Sequence, residues 1–430
     1  MHSGFQSGVI VVQTETMAVK TINTTEKPMN APRMPQIHES PPWWRTLPED
    51  FYCQSDGTEL DGESPIQVYS TAAADRALRS VLGCAISASL LPKLALQPRL
   101  LSDERQAMDF YAALAEQRDA DRVFPVPPAV NVCAQSPSRW QRWREPAPTS
   151  LLSFDSPFEP LNPEMTDRYL ANRRNRRAEV QLWSHPEGPR PTLIFVHGVV
   201  ASDYRFNSRF FSLPWFYERG YDIALFTIPF HGSRAERRSL FSGQGLFSGG
   251  FSQLAEGMLQ SICDLRVLFD YLVARGAPHV GISGLSLGGY LSALMAVVEP
   301  RLAFCIPNSP LVAPVDTIRS WQPTRSFMEL IQQRSGLSAQ DLRRGMAVHS
   351  PLSYQPVLNP ERVMIIGGAG DRFTPPRFVR LLHAHWPDSY LHWFPGNHLL
   401  HFGRQQYLQL MLSFMDSHCQ GATLQERGLA

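Results

Sequence analysis

Gly284-Leu285-Ser286-Leu287-Gly288 carries the densest chemical signal in the chain, a G-x-S-x-G preceded by the apolar run HVGISGL at 279–285 and followed by a helical pattern from Leu287. In a strand–turn–helix setting such a turn strains the serine backbone, and small residues are needed because strand and helix meet closely. The turn lifts the Ser286 hydroxyl off the sheet, beside the positive end of the helix. The chemistry on offer is nucleophilic attack by the raised hydroxyl. Three further segments supply what a serine nucleophile requires. TLIFVH at 192–197 runs into Gly198-Val199, so that the amides of Val199 and Leu287 can converge as an oxyanion hole, worth about 3 kcal/mol per donor. Asp371 follows the run 362–367 and can orient an imidazole. His398, in Pro395-Gly396-Asn397-His398, follows the last apolar run and can swing back toward Ser286. The chain order Ser286, Asp371, His398 differs from the orders of chymotrypsin and subtilisin.

Other residues compete for these roles. His401 lies three residues after His398 and is an alternative base, although the Gly-x-His spacing after a strand favours His398. Asn308 or Asp316 marks the alternative place for the acid, but no carboxylate sits tightly at the end of run 302–307. His197 and His231 read as structural loop histidines, with His231 also a candidate for the substrate pocket. His383, His385 and His392 lack an accompanying carboxylate cluster, and no metal site is expected from them. Arg173, Arg174, Arg176 and Arg177 read as a solvated hairpin, with phosphate or membrane docking as the alternative. The repeated LFSG at 240–243 and 246–249 reads as a linker that can border the pocket. The insertion at 309–360 carries Trp321, Phe327, Met328 and Leu330. As an apolar cap the insertion would suit an acyl or otherwise hydrophobic substrate and make Trp321 a second candidate for the substrate pocket; ordinary core packing of a helical excursion is the alternative.

Positioning these residues requires a particular set of elements. Short apolar runs at 178–184, 192–197, 222–229, 279–285, 302–307, 362–367 and 389–394 alternate with helical periods at 252–275, 287–299, 376–386 and 403–416. That alternation predicts an α/β fold, a mostly parallel sheet covered by helices on both faces. Such a sheet binds ligands at the carboxyl ends of its strands, where Val199, Ser286, Leu287, Asp371 and His398 fall. Helices are also predicted over 70–91 and 103–122, the second capped by Ser102. The expected organisation is a disordered tail over 1–50 and a helical N-terminal region with a Pro-rich surface connector over 51–163. A catalytic domain then covers 164–418 with its small helical cap at 309–360, and a flexible tail covers 419–430.

From about 178 to 416 the chain resembles the α/β-hydrolase superfamily. Pro229-Phe230-His231-Gly232-Ser233-Arg234 is similar to that superfamily's loop beside the oxyanion hole, and Asp371-Arg372-Phe373-Thr374-Pro375-Pro376 to the acid turn of its dienelactone-hydrolase-like and prolyl-oligopeptidase-like members. His197-Gly198-Val199-Val200 departs from the HGGG pattern of the lipase and esterase group. The resemblance implies a serine hydrolase of carboxylic esters: His398, oriented by Asp371, takes the Ser286 proton, the oxyanion faces Val199 and Leu287, and water clears the acyl-enzyme. It calls for no cofactor. The alternatives are a lipid acyl hydrolase in peripheral contact with a membrane surface and a catalytically silent binding module on the same scaffold. The expected partner is a small-molecule or lipid ester.

Composition narrows these readings. The 430 residues carry a formal charge of +1, without the basic surplus of a nucleic-acid binder. The only lysines are Lys20, Lys27 and Lys93, so the candidate site lies in a lysine-free stretch and lysine bases or Schiff bases have no source there. Cys53, Cys84, Cys133, Cys263, Cys305 and Cys419 form neither a zinc spacing nor a disulfide framework and read as buried apolar residues. The absence of a signal-like start and of a spanning apolar run leads to the expectation of a cytoplasmic protein without a transmembrane segment.

Overall fold

The computed structural model describes residues 41–56, 65–96, 100–137, 150–199 and 204–421, together with 423, 424, 426 and 428. Most of the expected N-terminal tail and residues 138–149 of the expected connector lie outside the described residues. Nine strands form one sheet: β1 (Cys133–Gln135), β2 (Ser150–Asp155), β3 (Arg177–Trp183), β4 (Thr192–Val196), β5 (Asp222–Phe226), β6 (Val280–Leu285), β7 (Cys305–Asn308), β8 (Met364–Gly368) and β9 (Tyr390–Phe394). Their order is β1-β2-β3-β5-β4-β6-β7-β8-β9. The pairs from β5 to β9 are parallel, and β1, β2 and β3 are joined antiparallel at one side.

The strand sequences explain the layers. β4, β5 and β6 are buried along their whole length, as a sheet covered on both faces requires. Successive side chains alternate between faces. Ile194, Val196, Ala224, Phe226 and Ile282 join one core with Leu265, Leu268 and Phe269, whereas Leu193, Phe195, Ile223, Leu225 and Leu285 join a second with Phe216, Met411 and Met415. Each of these side chains larger than alanine contributes about 1.5–3 kcal/mol relative to exposure. In chain order the principal helices are α1 (Pro65–Leu96), α2 (Leu100–Gln117), α3 (Gly250–Ala274), α4 (Leu287–Val298), α5 (Pro314–Arg319), α6 (Thr324–Ser335), α7 (Ala339–Met346), α8 (Pro376–His385) and α9 (Arg404–Cys419). Among the described residues no helix is long and apolar enough to cross a membrane.

Three expectations change. The stretch read as a surface connector contains β2, which pairs with β3 and buries Leu152 and Phe154; its alternation is only six residues long and is flanked by Pro and Ser. Ser102 stands inside the first turn of α2 rather than at its cap, because the helix begins at Leu100. The cysteines are mostly not buried: Cys53, Cys84 and Cys133 are exposed, Cys263 and Cys419 half-buried, and only Cys305 is in the core.

Residues Pro42–Ala430 form one compact unit, so α1 and α2 belong to the same body as the sheet. Glu104 of α2 accepts hydrogen bonds from the Ser252 amide (2.9 Å) and hydroxyl (2.7 Å) at the start of α3, where a carboxylate complements the helix dipole. Tyr111 donates to the buried Glu256 of α3 at 2.5 Å.

Candidate active site

The turn between β6 and α4 is shaped by close backbone approach. Ser286 has φ 60° and ψ −114°, a region that L-residues rarely adopt. The Ser286 amide donates to the Asn308 carbonyl (2.9 Å), and the Ser286 carbonyl accepts from the Tyr290 amide (2.9 Å). A Cβ on Gly288 would overlap the Val196 carbonyl oxygen, which is why glycine stands there. Gly198 has no Cβ either; one added there would lie 3.6 Å from that of Ser286. The end of β4 is thereby brought against the serine.

Asp371 follows β8 and is fully buried. Its Oδ1 accepts the amides of Phe373 and Thr374, both at 2.9 Å, and its Oδ2 accepts from the Thr374 hydroxyl (3.0 Å) and from His398 Nδ1 (2.7 Å). Burial alone would push this carboxyl up, but the positive charge of His398 and these hydrogen bonds hold it below the usual aspartate range. For His398 burial acts downward, and the charge and hydrogen bond of Asp371, followed by the charge of Asp75, lift it above the ordinary histidine value. Phe373 stacks on the imidazole with centroids 4.9 Å apart, and Trp321 abuts Phe373 edge-on.

Ser286 and His398 line one cavity of about 580 Å³. Val199, Trp321, Phe373, Phe241 and Leu285 share its wall, and α1 closes one side with Leu78, Val81, Leu82 and Ala85. The Trp321 indole donates to the Phe373 carbonyl at 2.9 Å, which fixes it in that wall. Apart from Ser286 and His398 the lining is apolar, a setting that admits an uncharged chain and strengthens local electrostatics by excluding water.

His231 lies behind this wall, fully buried. Its Nε2 and Nδ1 stand 2.6 Å and 2.8 Å from the carbonyl oxygens of Val199 and Pro229. Burial pushes its pKa down to about 4, and a neutral ring has one N–H to give, so one of the two contacts is a hydrogen bond at a time. Its place is therefore under the Val199 peptide, not in the pocket. His197 donates from Nδ1 to the Gly198 carbonyl (2.7 Å) and accepts the Ile228 amide at Nε2 (3.2 Å). His401 is not among the residues lining the cavity: its Nε2 is 3.4 Å from the His398 carbonyl, and its ring packs on Phe394. Asp316 is committed elsewhere, to a buried two-pronged pair with Arg343 at 2.5 Å and 2.8 Å. Arg173, Arg174, Arg176 and Arg177 are exposed and stand outside the cavity lining.

Asp75 joins the site from outside the motifs. It lies on α1, 1% exposed, and accepts the amides of both Arg372 and His398. An aspartate in the alanine-rich STAAADRALRS is visible in the sequence, but its partners stand about 300 residues away.

No family model matches the chain. An uncharacterized protein of Mycobacterium tuberculosis, found in two strains, is 30% identical over 262 residues, or 57% of this chain and 59% of the relative; the chain thus spans under two thirds of the curated relatives it matches. Among solved structures the chain is similar to an acetyl xylan esterase from Thermoanaerobacterium (16% identity, TM-score 0.45, 72% of this chain and 93% of that one). It is also similar to one from Paenibacillus (14%, 0.45, 75% and 99%) and to the acylaminoacyl peptidase of Pyrococcus horikoshii (15%, 0.41, 57% and 40%).

Proposed function

We propose that this chain, whose sheet is that of the α/β-hydrolase superfamily, is a serine hydrolase cleaving carboxylic esters with uncharged, apolar acyl groups. One observation carries the reading: a serine at a left-handed backbone angle and an imidazole held 2.7 Å from a fully buried carboxylate open onto the same apolar cavity. In that arrangement His398 Nε2 removes the Ser286 proton as Oγ attacks the ester carbonyl, while His398 Nδ1–H keeps donating its hydrogen bond to the Asp371 carboxylate. The amides of Val199 and Leu287 receive the oxyanion. His398 returns the proton to the leaving alkoxide, the acyl group remains on Ser286, and water deprotonated by the same imidazole releases the acid.

The rim favours an amphiphilic ester as the second reading. Leu78, Val81 and Phe206, which line the cavity, are 44%, 67% and 55% exposed. An apolar rim around an apolar cavity suits a lipid ester presented from an aggregate or a membrane surface.

An active-site-directed fluorophosphonate tests the central reading. The wild-type protein is expected to be labelled, and Ser286→Ala to lose the label completely. A folded, unlabelled wild type would instead leave a silent binding module on this scaffold. Hydrolysis of p-nitrophenyl esters of rising chain length tests the acyl specificity. Increasing kcat/KM with chain length is expected, and a sharp preference for acetyl would remove the apolar-acyl reading.

A further inference from the structure

Three residues spaced four apart on α1, Thr71, Asp75 and Arg79, lie on one helix face and together grip the two turns that carry Asp371 and His398. The Thr71 carbonyl accepts from the Asn397 side chain at 2.8 Å, immediately before His398. Arg79 Nη1 donates to the Arg372 carbonyl at 2.6 Å, immediately after Asp371. Asp75 lies between them and reaches both turns with a single oxygen: Oδ2 accepts the Arg372 amide at 2.9 Å and the His398 amide at 3.1 Å. Gly370 lets the helix come this close, since a Cβ there would stand 2.6 Å from the Thr71 hydroxyl and 2.9 Å from the Val68 carbonyl.

We infer that Asp75 is a positioning residue for the hydrolase chemistry: its carboxylate fastens the acid turn to the base turn and places a second negative charge beside the imidazole. This inference rests on the serine-hydrolase reading. The turns after β8 and β9 meet directly where the Gly370 amide donates to the Gly396 carbonyl at 2.7 Å, and the Asp75 carboxylate joins them a second time at Arg372 and His398. A bridging carboxylate fixes the Asp371–His398 separation from behind. Charge is part of the arrangement as well as geometry. The ionisable groups acting on Asp75 are Asp371 and His398 from the two turns, with Arg79 one turn along its own helix. Burial and then the neighbouring Asp371 raise its pKa to about 6, against the pull of His398 and the two amides. The reciprocal effect is that Asp75 stabilises the protonated form of His398.

The rate of fluorophosphonate labelling as a function of pH separates the possibilities, because Ser286 reacts only when His398 is neutral. Asp75→Asn keeps an oxygen that accepts both amides but removes the charge, so the acidic limb of the labelling rate is expected to move to lower pH by about half a unit. Asp75→Glu keeps the charge and displaces it by one methylene, so the limb is expected to stay near its wild-type pH while the plateau rate falls several-fold. Superimposed limbs for wild type and Asp75→Asn overturn the inference, even if the variant melts at a lower temperature. So does an Asp75→Glu limb displaced as far as that of Asp75→Asn. Should Asp75→Asn not fold, Asp75→Glu decides by its plateau, and an unchanged plateau overturns the inference. Wild-type labelling at Ser286 with unmoved limbs leaves the hydrolase reading intact and removes only the role of Asp75. A wild type that is not labelled removes both.

Discussion

The Ser286 backbone sits where an L-residue loses about 1–3 kcal/mol relative to ordinary conformations. The loss is tolerated because the turn is over-determined: a neighbouring strand takes its amide, the following helix its carbonyl, and glycines admit the close approach. The histidines around it divide by environment. Burial lowers His401 to about 4 and His197 to about 3, so both stay neutral and poorly basic, whereas Asp371 lifts His398 above the ordinary value. His398→Ala is therefore expected to reduce kcat by about ten-thousand-fold and His401→Ala by less than tenfold, read on p-nitrophenyl acetate. The reverse ranking would move the base to His401. At this scale much was legible in the sequence. Ser286, Asp371 and His398 were singled out by what precedes and follows them, because a strand end fixes where its next residues go. Asp75 was not legible, because a helix has two sides and no local pattern says which loop will settle on either.

Among the elements, α1 determines what the site can admit. Along adjoining, overlapping stretches of one face it supplies Thr71, Asp75 and Arg79 to the two turns and Leu78, Val81, Leu82 and Ala85 to the cavity. Its Ala, Leu and Arg content predicts a helix, and nothing in that composition says which surface the helix will cover. Ala85 is the smallest side chain in that wall, so Ala85→Trp is expected to fill part of the 580 Å³ cavity. The kcat/KM for long-chain p-nitrophenyl esters should fall about tenfold or more, equivalent to about 1.4 kcal/mol, while that for the acetyl ester changes little. Equal losses for both chain lengths would place the acyl group elsewhere. The LFSG repeat is also resolved at this scale. Phe241 of the first copy lines the cavity, whereas Leu246 and Ser248 of the second lie in the short helix Gln244–Ser248.

For the whole molecule, the preference for arginine over lysine acquires a structural meaning. Arg343 is 1% exposed and holds Asp316 with two bonds while donating to the carbonyls of Leu47 (2.7 Å) and Pro48 (2.8 Å). Arg234, fully buried, joins Asp264 (2.7 Å), the Asn175 carbonyl (2.8 Å) and the Thr227 carbonyl (3.1 Å). A guanidinium can serve three acceptors in one plane, and an ammonium on a flexible stem cannot reproduce that fork. Arg343→Lys is accordingly expected to destabilise the protein by about 2–4 kcal/mol, measured as a lowered denaturation midpoint at unchanged slope. A midpoint within error of the wild type would show that the fork is dispensable.

The sequence by itself determined the layered α/β architecture, the strand ends and the serine, carboxylate and imidazole that follow them. These depend on periodicity and turn chemistry, which act over a few residues. Only the tertiary structure decided that β2 joins the sheet, that His231 lies beneath Val199 rather than in the pocket, and that α1 walls the cavity and sends Asp75 to two distant turns. Those outcomes depend on which surfaces meet across separations of tens to hundreds of residues. Burial and hydrogen-bond satisfaction in the assembled molecule select among them, and no local sequence pattern encodes that choice.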